Sequence, residues 1–316
     1  MEDCFLSLDV GGSKYIVGLI DRAGRLLGMR RGVWRTLDQN CVLETLIKEA
    51  RLLLQETGLR PVACGITIPG LADPERGLWV EATFSGIRDF PICAQLTQAL
   101  GMPAYCENDG QAYALGEQVF GSCRGVQDFI YMNVSNGIGG ALVSGGRLIT
   151  GAHGHAGEPG HCCAVPGGRL CKCGSRGCLE MHAAGPGIAL NYREAGGEPE
   201  EDGQMASAKT IAARARNGEA LAKEIFVHEG ELLGGVLAVA INLLNPARVV
   251  LGGGVAQAYD LFGPSLEQTV RERIYRGANP DVSIGPTPLG ELAGLYSGAA
   301  IALLREENSG KDGTKA

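Results

Sequence analysis

No basic segment running into a short apolar core opens this 316-residue chain, and no apolar run reaches the ~18 residues of a membrane span. Export and membrane insertion are not expected, so the chain is expected in the cytoplasm. Surplus positive charge is missing too: 28 Lys and Arg against 35 Asp and Glu leave a net charge of −7. Nucleic acid is therefore not expected as the main partner, because phosphate contacts draw on excess Lys and Arg. Neither the Walker A pattern nor the dinucleotide fingerprint occurs, so neither a P-loop nor a Rossmann enzyme is expected. Without export, the eleven cysteines read as free thiols or metal ligands, not as a disulfide framework. Cys4, Cys41, Cys64, Cys93, Cys106 and Cys123 stand singly among apolar neighbours and read as small buried hydrophobes.

What the chain does have is length for two domains and 45% hydrophobic residues to fill their cores. It also has 49 glycines, which punctuate strand ends and imply tight turns or close backbone approach to a ligand. "CFLSLDVGGSKYIVGLIDRAGRLL" reads as three strands with a Gly-Gly turn after the first. Helical spacing of apolar residues from Val42 to Leu54 predicts a helix capped by Asn40 at its start and Gly58 at its end. "PVACGITIPG" and "MPAYCE" read as strands, and the second runs through Asn108-Asp109 into a helix over "GQAYALGEQVFG". "DFIYMNVSNGIGGALVSGGRLI" then repeats the plan of the N-terminus, setting Asn133-Val134-Ser135-Asn136-Gly137 against Asp9-Val10-Gly11-Gly12-Ser13. A repeat offset by about 125 positions implies two similar α/β domains with a cleft between them. "HEGELLGGVLAVAINLLN" predicts a buried helix stopped by Pro246, followed by the strand "ARVVLGGGV". Residues 1–119 with about 295–305 are expected to form the first domain and 120–294 the second. The last segment, 306–316, has nothing to bury and is expected to be disordered.

Three glycine-rich turns follow apolar strands, at Gly11-Gly12, at Gly137 to Gly140 and at Gly252 to Gly254. Each lets backbone N–H groups approach a phosphate, and each is equally explained as a tight hairpin. Asp9 and Ser13 flank the first and have the chemistry to orient Mg²⁺ and a terminal phosphate, or simply to stabilise a turn. The densest chemistry lies in "GEPGHCCAVPGGRLCKCGSRGCLE", residues 157–180. His161, Cys171, Cys173 and Cys178 offer one imidazole and three thiolates, a set suited to tetrahedral zinc with no open position, hence structural. Cys162 and Cys163 are spare. Arg169, Lys172 and Arg176 are offset by Glu158 and Glu180, and the loop has no aromatic, which disfavours a nucleic-acid knuckle. Metal coordination would fix the backbone beside Glu158 and Glu180, and clustered carboxylates with an imidazole accept well from sugar hydroxyls; plain surface acids are the alternative.

From about residue 4 to 304 the chain resembles the ROK (repressor, open reading frame, kinase) sugar kinases of the actin-like/hexokinase superfamily. The resemblance rests on "DVGGS", "GITIPG", "ENDGQAYALGE", "SNGIGG", "GEPGH", "CKCGSRGCLE" and "VVLGGGV". It implies two actin-like (ribonuclease H-like) domains, with Asp109 as general base and Asn108, Glu158, His161 and Glu180 binding the sugar beside Gly70. It implies zinc on the His-Cys₃ set, so that His161 uses its second ring nitrogen on a sugar hydroxyl. ATP phosphates are implied at Asp9, Gly11, Gly12, Ser13 and Lys14 and at Asn136, Gly137 and Gly139, with Gly253 and Gly254 completing the nucleotide site. Ser13 and Asn136 stand where the family usually has threonine, and the usual Asn-Leu pair is not evident in "EATFSGIRDFPI".

The implied activity is transfer of the ATP γ-phosphoryl group, with Mg²⁺, to the 6-hydroxyl of an aldohexose, glucose first, with N-acetylmannosamine, N-acetylglucosamine and allose as alternatives. Domain closure over the sugar is expected to exclude water. A non-catalytic sugar-binding regulator is the other class. The repressors of the family carry an N-terminal DNA-binding segment; with the first glycine turn opening at Asp9, such a segment is not expected here. A homodimer is implied by the resemblance alone.

Overall fold

The computed structural model describes residues 3–82 and 85–312 and divides them into two compact units. Unit 1 comprises Met1–Arg124, Gly151–His155 and Glu291–Ala316; unit 2 comprises Gly125–Thr150 and Ala156–Gly290.

Unit 1 opens with β1 (Cys4–Val10), β2 (Lys14–Asp21) and β3 (Leu26–Val33), an antiparallel meander. Helix α1 (Gln39–Thr57) starts one residue earlier than the predicted cap. Asp38 takes that role, its carboxylate accepting from Asn40 N and Cys41 N, because a cap must precede the first helical residue. Gly58 ends it at φ 67°, as expected. β4 (Ala63–Ile68) pairs parallel with β1. Next come β5 (Leu71–Asp73), β6 (Leu78–Ala82) and β7 (Ile87–Phe90), a small antiparallel sheet not expected from the sequence. It takes up half of "EATFSGIRDFPI", of which Thr83 and Phe84 lie outside the described residues. α2 (Ile92–Leu100), β8 (Ala104–Asn108) and α3 (Asp109–Val119) follow, giving the sheet order β3-β2-β1-β4-β8.

Unit 2 repeats that plan. β9 (Phe129–Val134), β10 (Ile138–Ser144) and β11 (Arg147–Leu148) form the meander. After the Gly- and Cys-rich segment come α4 (Leu179–Ala183), α5 (Gly185–Glu194), α6 (Ala208–Arg216) and α7 (Ala220–Leu244). β12 (Arg248–Gly252), α8 (Tyr259–Arg273) and β13 (Ser283–Pro286) complete the order β11-β10-β9-β12-β13. In both sheets the first three strands are antiparallel and the last two add in parallel. The repeat in the sequence is thus a repeat of fold. Helix α7 starts eight residues ahead of the predicted span. By length and composition alone it would suit a membrane span; in the fold its buried residues, including Phe226, Leu233, Leu237 and Ile241, belong to the unit 2 core. It ends at Asn245, left-handed at φ 48°, one residue before Pro246.

The chain ends in α9 (Ala293–Asp312), assigned to unit 1. Helix persists past residue 306, correcting the expectation of a disordered tail there; residues 313–316 lie outside the described residues. Strand alternation explains why α9 belongs here. Cys4, Leu6, Leu8 and Val10 of β1 face Val42, Leu46, Ala50 and Leu53 of α1. Phe5, with Ile16 and Ile20 of β2, faces Leu295, Ala299 and Ala302 of α9. Ser7 Oγ donates to Leu295 O, and a Cβ on Gly65 would overlap Gly298 O, so β4 and α9 meet backbone to backbone.

Candidate functional site

At the carboxyl end of β8, Asn108 and Asp109 stand where strand turns into helix. Asn108 caps α3: its Oδ1 accepts from Gly110 N at 3.0 Å and from Gln111 N, and its Nδ2 donates to Gly70 O at 2.6 Å. Gly70 takes φ 89°, and a Cβ there would overlap Glu81 O. Asp109 is the first residue of α3, half-buried, and its Oδ1 accepts from Gly110 N at 2.8 Å. The structure therefore brings Gly70, Asn108 and Asp109 together. Gln111, buried one turn on, donates to Gly154 O at 2.7 Å.

Asp9 lies at the end of β1 against α9, where its carboxylate fills the space a Cβ on Gly294 would need. Thr67 Oγ1 donates to it at 2.8 Å, yet burial outweighs that hydrogen bond and raises the carboxyl above its ordinary range. The register sets Asp9, Thr67 and Glu107 side by side across β1, β4 and β8. Neither Thr67 nor Glu107 was singled out from sequence. Glu107 is buried, its carboxyl is pushed up to about 7 by desolvation, and its Oε1 accepts from Asn108 N.

The glycine turns divide by what surrounds them. At the first, Gly11 N donates to Lys14 O and the Trp34 indole N–H donates to Gly11 O at 2.8 Å; Gly12, Ser13 and Lys14 are exposed. Trp34 went unnoticed because no motif marks it. A Cβ on Gly12, Gly139 or Gly254 would meet nothing within 4 Å, so these three positions are open. Gly253 is different: at φ 90° it packs on Val134 O and Asn133 Oδ1, a fold requirement independent of any ligand. Gly137 faces Glu180, whose Oε2 would lie 2.7 Å from a Cβ there, and Asn136 is exposed.

His161, Cys171, Cys173 and Cys178 converge, with their ligand atoms all within 4.8 Å of one another. Cys173 Sγ and Cys178 Sγ are 3.6 Å apart, and Cys171 Sγ is 3.7 Å from His161 Nδ1. A zinc with ~2.3 Å bonds to sulfur in tetrahedral array sets its thiolates ~3.8 Å apart, so the four groups fit the ion in chemistry and spacing. Local backbone makes this possible. Gly174 turns left-handed at φ 90°, Cys171 N donates to Ser175 O, and Leu170 bridges Arg176. The Cys173 thiol is held down to about 6 by the Ser175 N–H and its thiol neighbours, while burial first and the thiols second push Cys178 up to about 12. Cys162 and Cys163 are exposed and outside the cluster; of the six scattered cysteines five are buried and Cys41 is half-buried. His182, buried in α4, accepts from Arg169 N at 3.2 Å, and desolvation keeps its imidazole below its ordinary pKa.

Of the remaining expected sugar ligands, Glu158 is exposed just before the 3₁₀ turn Pro159–His161. Glu180 lies in the first turn of α4, with Oε2 accepting from Ile138 N at 3.0 Å.

The ROK family profile matches residues 5–306. The chain belongs to the ROK family. It is 32% identical to the glucokinase of Thermotoga maritima, over 94% of this chain and 96% of that protein. Among solved structures, the ROK family glucokinase from Streptomyces griseus in complex with glucose and AMPPNP superposes with a TM-score of 0.83 at 28% identity, covering 95% of this chain and 99% of that one. A ROK family transcriptional regulator, a homologue of the Escherichia coli MLC protein, superposes with a TM-score of 0.86 at 30% identity, covering 95% of this chain and 78% of that one. This ROK chain thus stands close to kinases and to a regulator alike.

Proposed function

We propose that this ROK protein is an ATP-dependent hexose kinase acting on the 6-hydroxyl of an aldohexose, glucose first. The observation that carries the reading is the seating of Asp109. It opens α3 beside a strand end, held by Gly110 N–H, with Asn108 and Gly70 fixed next to it. The likeness to glucokinases named for that reaction supports it.

In this reading Asp109 accepts the proton of the 6-hydroxyl while the sugar oxygen bonds to the γ-phosphorus and the bond from phosphorus to the β–γ bridging oxygen breaks. ADP and the sugar 6-phosphate leave. The γ-phosphoryl group needs little beyond position and charge neutralisation. The open glycines Gly12 and Gly139 and the exposed Ser13, Lys14 and Asn136 would meet the phosphates, with Gly254 toward the nucleoside. Asp9 would orient the Mg²⁺ that offsets phosphate charge. Asn108, Glu158, His161 through Nε2, and Glu180 would bind sugar hydroxyls. Zinc on His161, Cys171, Cys173 and Cys178 would supply rigidity only, since four protein ligands leave no position for substrate. The reading carries with it a cytoplasmic homodimer without nucleic-acid or membrane partners.

Release of ADP measured across glucose, N-acetylmannosamine, N-acetylglucosamine and allose tests the reading. Turnover on glucose above the other three is expected. Asp109→Asn should keep sugar binding and lose phosphorylation by about 10²–10⁴-fold, the usual worth of a general base. Full activity in that variant would remove the assignment. The likeness to a regulator favours a second reading, a sugar-binding body without turnover. Sugar binding with no ADP from any of the four sugars would select it.

A further inference from the structure

Helix α4 is only five residues long, yet both of its ends grip the β9–β10 turn. At its start Glu180 Oε2 accepts the Ile138 N–H at 3.0 Å. Just past its end Gly185 N donates to Ser135 O at 2.8 Å. Asn136 and Gly137 are the residues left between these two attachments. Gly160 packs closely on the Ile138 carbonyl, which a Cβ there would overlap, and Pro159 packs 3.0 Å from where a Cβ on Gly140 would be. Cys178, a member of the thiol cluster, is the residue immediately before α4.

We propose that Glu180 is a positioning residue for the nucleotide as well as a sugar ligand. One carboxylate oxygen fixes the turn that receives ATP phosphates, leaving the other for the sugar. The inference rests on the kinase reading in that it takes the Asn136–Gly139 turn as the phosphate site. Its physical content is a coupling. Displacing Glu180 frees the Ile138 N–H and lets the turn relax, so the affinity for nucleotide falls even when no sugar is present. A residue that only bound sugar would leave nucleotide affinity untouched.

Two substitutions separate the roles. Glu180→Gln keeps a carbonyl oxygen for the Ile138 N–H and presents an NH₂ in place of an acceptor; Glu180→Ala keeps neither. With Mg·ADP titrated calorimetrically in the absence of sugar, Glu180→Ala should bind about tenfold more weakly, the worth of one hydrogen bond to a charged group. Glu180→Gln should stay within about twofold of the parent, while both variants lose glucose affinity. Amide hydrogen exchange should quicken at Ile138 in the alanine variant and not in the glutamine variant. Should Glu180→Ala fail to fold, Gly137→Ala attacks the same contact from the other side, because its Cβ would stand 2.7 Å from Glu180 Oε2. It should weaken Mg·ADP and glucose binding together. Parent-like Mg·ADP affinity in the alanine variant, or in Gly137→Ala if that is the one that folds, would overturn the coupling and leave the kinase reading intact. A parent protein that binds no Mg·ADP would instead remove the kinase reading, and this inference with it.

Discussion

Glu107 occupies β8 with 8% of its surface exposed, and desolvation raises its carboxyl from 4.5 to about 7. The folded chain therefore holds a proton there that the unfolded chain releases near pH 4.5. Stability from this group is present below about pH 4.5, declines as pH rises through about 7, and stays lost above it. The whole effect amounts to about 3 kcal/mol at most, from the free-energy equivalent of such a pKa difference. Glu107→Gln keeps an acceptor for the Asn108 N–H and removes the titration. Thermal midpoints at pH 5 and pH 8 should therefore lie closer together in the variant than in the parent, and identical spacing would refute the assignment. Glu107 was not legible from sequence, because a carboxylate ahead of Asn-Asp reads as one more acid at a strand end. Its burial depends on the register that lays it beside Thr67 and Asp9. The position of Asn108 and Asp109 between a strand and a helix was legible, since the strand pattern runs through them into the helix; the roles expected of them come from the resemblance alone. Trp34 was not legible: its hydrogen bond to Gly11 O spans 23 residues, and no local pattern encodes it.

Among elements, the Cys-rich loop was the most legible, because soft ligands at short spacing leave little conformational choice. Its four groups meet as the spacing implied, and the two spare thiols fall outside. Chelation of the purified chain should remove stoichiometric zinc and lower the thermal midpoint. It should also weaken glucose binding, with re-addition of zinc restoring both. A chelated protein with unchanged midpoint and glucose affinity would show that the four groups hold no structural ion. Helix α1 shows where element boundaries escape the sequence. Asp38 and Asn40 are both good caps, and only the backbone geometry, extended at Asp38, decides between them. The small sheet of β5, β6 and β7 was missed because its strands are three to five residues long, too short for alternation to declare itself.

Taken whole, the chain states its architecture twice. The shared order of the two sheets follows from two stretches of similar pattern, and the asymmetry between them is equally visible: Asn133 stands where the first copy has Asp9. Helix α9 falls in the first unit, as expected; which strand residues it covers was not legible, because a helix of small apolar residues fits any sheet with a free face. Its partners have a consequence in time. Phe5, Ile16 and Ile20 are covered by the last helix of the chain, so a ribosome that has finished β8 must add the whole of unit 2 before that face closes. At the usual ~5–20 residues per second the wait is roughly 10–40 s. A chain stopped before Ala293 should accordingly scatter light and bind hydrophobic dyes. A monodisperse, dye-silent truncation would show that the first sheet matures without waiting for the end of its own message.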